Sequence, residues 1–524
     1  MTTASEIGTV RRLGLLEAGS AAFHLMGLYR SVVVSATYSI PSREQSKEAI
    51  LAALGSLITE NPMLRVGIKD EGSTAAYFTH ITEMKLDNFV EFRTSATTSD
   101  LDFRKEVGDL HCWCHDQIFQ DVETRPPWRV FVLRSEQQSP AFEAVVFAYH
   151  HSLMDGMSGR LFHEKLHAKL NSLPPDPSAP GVLSFPECPE LPGPQDDVID
   201  YTTTFAQRFS KLLNWMRPSF LTPTHEIWSA EPIEFSRPHK TRLATVDIPP
   251  AAVLSVLEAT RSYRTSFTGL LHALALASLS RRVPDAPGFT SSTPISMRPY
   301  ISPTADPALK EALFGCVTGT AHEHPFAEVE AFRNATDETL DDLVWSYARK
   351  IKEELRQKIS TLPATDGLKA LSSITDWTDF LVERDGNKRR RTWEVSNVGI
   401  LPQAAENEPD KRTISHAMFT NGPMISSDPI SISVVSVKHG MLTLGITWND
   451  GIVDDKIIEG LRGDLEACLK QLHEEGDLGM HLLYEEDSDE DTEEDSEKGS
   501  EKGSEKGSEK GFGEGSEEDF SAKE

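Results

Sequence analysis

The first candidates for chemistry are two adjacent histidines with an aspartate four residues further on, in Tyr149-His150-His151-Ser152-Leu153-Met154-Asp155-Gly156. An imidazole with an unperturbed pKa of about 6.5 accepts a proton at neutral pH when its neighbours keep it neutral and oriented. Asp155 is close enough in sequence to fold back toward it. If residues 143–151 continue as a strand, the two-residue period puts Val145, Phe147, Tyr149 and His151 on one face and Ala144, Val146, Ala148 and His150 on the other. A cavity on one face then meets only one of the two histidines. A helix should begin just after Asp155-Gly156-Met157-Ser158, where Asp and Ser suit a cap and Gly tolerates unusual backbone angles. Two histidines and an aspartate are also ordinary turn residues, so spacing alone does not define an enzyme.

Other patterns compete. Phe162-His163-Glu164-Lys165-Leu166-His167 contains a literal His-Glu-x-x-His, which puts two zinc ligands on one helical face and would make a metallohydrolase. Zinc chemistry needs a third protein ligand. The helix should run out near Leu170, leaving only Glu187 and Glu190 nearby in loop, so His163 and His167 read as a partly exposed helix face and no metal is expected. His111-Cys112-Trp113-Cys114-His115 invites a metal too, but Cys-x-Cys in a helix points its sulfurs apart, which favours core or surface cysteines. His272, in the apolar run LLHALALASL, reads as a satisfied core histidine, and no Gly-x-Ser-x-Gly elbow occurs to suggest a serine hydrolase.

These residues need elements to position them. VVVSATYSI at residues 32–40 reads as a strand, followed by a helix that Pro41-Ser42 and Gln45 cap and that carries Ile50, Leu51, Leu54, Leu57 and Ile58 as one stripe up to Asn61-Pro62. MLRVGI, RVFVLR and FEAVVFAYH read as strands, and after two Pro-containing stretches, Pro174–Pro194 and Pro218–Pro238, the pattern resumes. There TRLATVDI, FTSSTPISM, WEVSNVGI, ISISVVSV and MLTLGITWND are strands and SFTGLLHALALASLSRR a buried helix. The alternation predicts an α/β class with an N-terminal lobe over residues 1–215 and a C-terminal lobe over 216–484. Residues 485–524, with 18 acidic residues against 5 lysines, should form a disordered acidic tail.

The net charge of −29 argues against a nucleic-acid partner, which is held by Lys and Arg. Five irregularly spaced cysteines form no disulfide framework, and without a secretory leader or a membrane-length apolar run the expected location is cytoplasmic. Arg11 and Arg12 allow peripheral membrane contact, although Leu13, Leu15 and Leu16 suit core packing better.

HHSLMDG matches the His-His-x-x-x-Asp-Gly signature of the CoA-dependent acyltransferase superfamily, which includes chloramphenicol acetyltransferase and the peptide-synthetase condensation domains. RRLGLLEAG, NPMLRVGI, STPISMRPY and WEVSNVGI resemble, in order and spacing, segments of the fungal and yeast alcohol O-acetyltransferase family over about residues 10–475. The resemblance implies two chloramphenicol-acetyltransferase-like lobes, each a mixed sheet flanked by helices, with CoA and acceptor entering a central channel from opposite faces. It implies that His151 is the general base and His150 structural support. Asp155 would hold the loop through an ion pair, with Arg65 the first candidate partner and Arg298 the reserve. Ser396 or Asn397 would stabilise the oxyanion, and Gly156 would let the CoA arm pass near the backbone. Acetyl-CoA would be a co-substrate, with no permanently bound cofactor, and a monomer would acetylate an alcohol. An N-acyltransferase on a long-chain amine and a non-catalytic binding relative are the alternatives. The Asp-Phe-Gly-Trp-Gly motif of the plant branch is absent, which leaves the CoA contacts unassigned.

Overall fold

The computed structural model describes residues 8–40, 46–135, 142–173, 181–201, 226–403 and 411–480. Two large sheets organise the unit that ends at Gly479. The first has the order Ile414–Asn421, Val32–Ser39, Phe142–Tyr149, Trp128–Ser135, Val90–Ser95 and is antiparallel except at its last pair. The second has the order Thr241–Ile248, Leu442–Asn449, Ile430–Val437, Trp393–Leu401, Gly288–Ser296, Val317–Pro325, with parallel pairing on both sides of Trp393–Leu401. Two mixed sheets flanked by helices are the architecture the family resemblance implies, and the α/β class is the one the sequence pattern predicts.

Each long strand follows its composition. Phe142–Tyr149 is buried on both faces, and its alternation separates two cores as the period requires. Val145, Phe147 and Tyr149 pack with Leu161, Phe162 and Leu166 of the helix Gly156–Ser172. Ala144, Val146 and Ala148 pack with Phe103, Val107 and Leu110 of the helix Asp100–Asp116. Phe147 and Phe162 stack with centroids 3.8 Å apart, a contact that adds about 0.5–1.5 kcal/mol beyond burial. Gly159 is required at this seam, because a Cβ there would meet Val34 Cγ2 at 2.5 Å and Tyr149 Oη at 2.6 Å.

The stripe on the helix Ser46–Glu60 is as expected for Ile50, Leu54, Leu57 and Ile58, all fully buried, while Leu51 is half-buried. Its predicted cap at Pro41-Ser42 and Gln45, the lobe division at 215/216 and the acidic tail lie outside the described residues. MLRVGI is strand only from Val66, because Pro62–Arg65 closes into a 3-10 turn after the helix. Leu13 is buried, Leu15 and Leu16 are half-buried, and Arg11 is committed to Glu17 and the Pro192 carbonyl.

The strand Ile414–Asn421 has no counterpart in the sequence expectations. It leaves the second sheet's part of the chain to pair with Val32–Ser39, placing Phe419 opposite Val34 and Asn421 opposite Val32. Among the described residues no helix is long and apolar enough to cross a membrane.

Candidate active site

The strand Phe142–Tyr149 stops one residue before the histidine pair, and a tight turn carries the chain to the helix that starts at Gly156. Asp155 caps that helix, its Oδ1 accepting from Ser158 N at 2.9 Å, which satisfies one of the helix's free N–H groups. The other carboxylate oxygen accepts from Arg298 Nη1 at 2.6 Å and from Cys316 N at 3.0 Å. Burial alone would raise the Asp155 pKa, but the Arg298 charge and these hydrogen bonds outweigh it and hold the group below the usual carboxylate range. Arg298 also donates to Ser158 Oγ at 2.8 Å and to the Phe314 carbonyl at 3.0 Å.

The partner of Asp155 is therefore Arg298 and not Arg65. Arg65 sits on the 3-10 turn after the first long helix, with its guanidinium over the Phe185 ring at 4.5 Å. The family resemblance put Arg65 first, whereas Arg298 reaches the turn from just beyond the end of Gly288–Ser296 in the second sheet.

The two histidines face different surroundings. His150 is fully buried, its Nδ1 accepts from Ser152 N at 2.9 Å and its Nε2 lies 3.1 Å from Glu71 Oε1. Glu71 Oε1 also lies 2.7 Å from His24 Nδ1, and His24 Nε2 accepts from Phe119 N at 3.1 Å. His24, Glu71 and His150 group closely enough to suggest a cation site. The two backbone N–H donors decide otherwise. Each claims the far ring nitrogen's lone pair, so both rings carry their proton on the nitrogen facing Glu71 and donate to it, with no lone pair for a metal. Burial opposes ionisation of Glu71, yet these hydrogen bonds hold its pKa down to about 2.

His151 instead lines a cavity of about 360 Å³ together with Tyr29, Asp155, Gly156, Glu394, Ser396 and Asn421. Its Nδ1 is shut off from solvent without a hydrogen-bond partner, which leaves Nε2 as the nitrogen open to the cavity. Burial lowers the His151 pKa, with the Asp155 charge acting the other way. The Tyr29 ring lies 5.6 Å from the His151 ring between centroids.

Gly156 lines the same cavity in a tight fit, since a Cβ there would meet Phe419 Cζ at 3.0 Å and Val398 Cγ1 at 3.1 Å. Ser396 also lines it, but Asn397 does not. Asn397 is exposed, and its Oδ1 accepts from Gly399 N at 2.9 Å in a local turn. The period of the strand Trp393–Leu401 explains the split, because neighbours point to opposite faces. The same period brings Glu394, two residues before Ser396, into the cavity, a residue the sequence reading missed although the signal was present.

Glu394 Oε1 accepts from Asn421 Nδ2 at 2.8 Å, and Asn421 Oδ1 accepts from the Tyr29 hydroxyl at 3.3 Å, so a polar chain runs along one wall. Burial, and next the nearby charge of Asp428, raise the Glu394 pKa. Asp428 itself accepts from Ser292 Oγ at 3.0 Å and pairs with Arg391 at 3.3 Å.

The His-Glu-x-x-His segment is not a partly exposed face. His163 is fully buried, with Nδ1 2.9 Å from the Tyr38 hydroxyl and Nε2 3.0 Å from the Val34 carbonyl, and His167 Nε2 bonds the Arg412 carbonyl at 2.9 Å. The helix carrying them packs against the first sheet, so its histidines serve the main chain. His111 and His115 likewise bond Ser35, Ser31 and Thr420, and His272 bonds Thr293 and Trp393.

The fold is the one seen in two-lobed acetyltransferase and condensation-domain structures. The chain superposes on the TRI3 trichothecene 15-O-acetyltransferase of Fusarium sporotrichioides with a TM-score of 0.65 at 15% identity, covering 88% of this chain and 96% of that one. It superposes on the first condensation domain of the CDA synthetase with a TM-score of 0.57 at 12% identity, covering 89% and 97%. The sequence model of the alcohol acetyltransferase family matches residues 12–459, and the chain belongs to that family. It is 28% identical to the "Probable alcohol acetyltransferase FCK4" of Fusarium pseudograminearum over 90% of this chain and 97% of the relative. It is 23% identical to the "Probable alcohol acetyltransferase crmB" of Aspergillus fumigatus over 86% and 97%. The protein is an acyltransferase.

Proposed function

We propose that the protein acetylates a hydroxyl of a small polar acceptor with acetyl-CoA, by direct attack and with His151 as general base. One observation carries this reading: His151 presents an open Nε2 to the cavity, while both ring nitrogens of His150 are engaged. In this reaction His151 Nε2 takes the acceptor's proton as its oxygen attacks the thioester carbonyl. Ser396 Oγ donates to the oxyanion that forms. Collapse breaks the C–S bond, and the CoA thiolate receives the proton held on His151. A serine or cysteine nucleophile is not needed. Burial keeps the imidazole neutral and ready to accept at neutral pH.

The cavity's chemistry supports a polar alcohol over a long-chain amine. Ser292, Thr293, Thr318, Thr320, Asn421 and Ser431 face it, and about 360 Å³ suits a compact acceptor. The Glu394 wall offers hydrogen bonds to a second hydroxyl on the acceptor. A secondary-metabolite hydroxyl fits this description, and the neighbouring fold of the trichothecene acetyltransferase supports it.

The test incubates purified protein with acetyl-CoA and a panel of alcohols and amines, following free CoA thiol beside a His151→Ala variant. Release with a polyhydroxylated alcohol and its loss in the variant are expected. Equal turnover by the variant would refute the mechanism.

A further inference from the structure

Beside the catalytic cavity lies a second cleft, of about 570 Å³, whose walls include Phe380, Arg384, Lys388, Arg390, Arg391 and Ser426. We propose that it binds the phosphorylated nucleotide end of CoA, with Arg384, Lys388 and Arg390 as the phosphate contacts. The proposal rests on the acyl-CoA reading above and assigns the end of the co-substrate that the cavity itself does not hold.

Charge is the first argument. In a chain of net charge −29, Lys388-Arg389-Arg390-Arg391 is a run of four consecutive cations, with Arg384 close by. Arg389 is structural, buried and donating to the carbonyls of Glu231 and Ile425. Arg391 pairs with Asp428. Arg384, Lys388 and Arg390 have no carboxylate partner among the described residues, although Glu383 also lines the cleft. Burial lowers the Arg384 pKa, and the charges of Arg390 and Arg391 lower it further, which describes a cluster that repels itself. A polyanion relieves that repulsion.

A second observation is independent of charge. Ser426 is buried, its Oγ has no hydrogen-bond partner, and it lines the cleft. An unpaired buried hydroxyl costs free energy unless a ligand completes it.

Position is the third. Arg391 lines both spaces, and Met424 and Asp428 of the cavity flank Ser426 and Ser427 of the cleft. A ligand with three phosphate groups at one end and a thioester at the other spans two adjoining spaces of this kind, and arginine forks suit phosphate oxygens.

Calorimetric titration of the full-length protein decides it, with CoA, dephospho-CoA and inorganic phosphate as probes, on wild type, Arg390→Lys and the pair Arg384→Gln with Arg390→Gln. The wild type should prefer CoA to dephospho-CoA. The double variant should bind CoA about tenfold or more weakly and lose most of that preference, while Arg390→Lys retains it. Arg390 is exposed and Arg384 half-buried, and an unchanged thermal midpoint verifies folding. CoA affinity in the double variant equal to wild type, or inorganic phosphate binding as tightly as CoA, would overturn the proposal. Failure of the wild type to bind CoA at all would instead strike the acyl-CoA reading on which it rests.

Discussion

Arg298 Nη1 lies 2.6 Å from Asp155 Oδ2 although the two residues are 143 positions apart, and both are buried. The pair fastens the turn that carries His151 to the end of a strand in the second sheet. Removing the arginine strands a charge away from water, the costly way to break a buried pair.

Arg298→Met should therefore lower stability by about 3–5 kcal/mol in urea unfolding, with Asp155→Asn also destabilising. Arg65→Met should cost far less, since Arg65 holds no carboxylate among the described residues. Equal losses would show that the ion pair does not fasten the turn.

His151→Ala should reduce kcat by about 10²–10⁴ with little change in melting temperature. His150→Ala should do the reverse in emphasis, lowering stability by removing a hydrogen-bonded partner of Glu71. Steady-state kinetics and thermal melts on the two variants check this division.

The rate should follow the neutral form of His151. Because burial lowers its pKa, the acidic limb of kcat/KM should have its midpoint below about 6.5, the value of a free histidine. Activity rises with pH through that midpoint and then levels. A midpoint at or above 6.5 would remove burial as the governing influence.

Ser396→Ala should lower kcat by about 10²–10³ if its hydroxyl meets the oxyanion, whereas Asn397→Ala, on the outer face of the same strand, should leave it within a few-fold. Glu394→Gln should act mainly on the acceptor's KM.

Buried histidines also set the acid limit of the fold. His111 is lowered to about 3, and His150 and His163 to about 4, in each case chiefly by burial. Between these values and about 6.5 the unfolded chain binds protons that the folded chain does not. Stability should fall with decreasing pH across that window, approaching 1.4 kcal/mol per pH unit for each such histidine. Denaturant midpoints measured from pH 7.5 down to 5 test it.

Much of this was legible beforehand because it is local. The strand periods, the stripe at Ile50, Leu54, Leu57 and Ile58, and the cap at Asp155 depend on neighbours within a few residues. The choice between Arg65 and Arg298 was not legible, since it turns on which strand end meets the turn across the two sheets. The strand Ile414–Asn421 escaped for a similar reason: its pairing with Val32–Ser39 is a long-range choice that no window of sequence encodes. Glu394 was within reach, because the two-residue period that separates Ser396 from Asn397 also selects it.

That same strand imposes an order on biosynthesis. As the nascent chain leaves the ribosome, Val32, Val33 and Val34 form a strand whose outer edge has no neighbour until residues 414–421 have been translated. The sheet built on Val32–Ser39 stays incomplete until Ile414–Asn421 has been made. For most of its synthesis the chain carries an open, apolar edge able to pair with other chains, so demand for chaperones is written into the strand order rather than into composition.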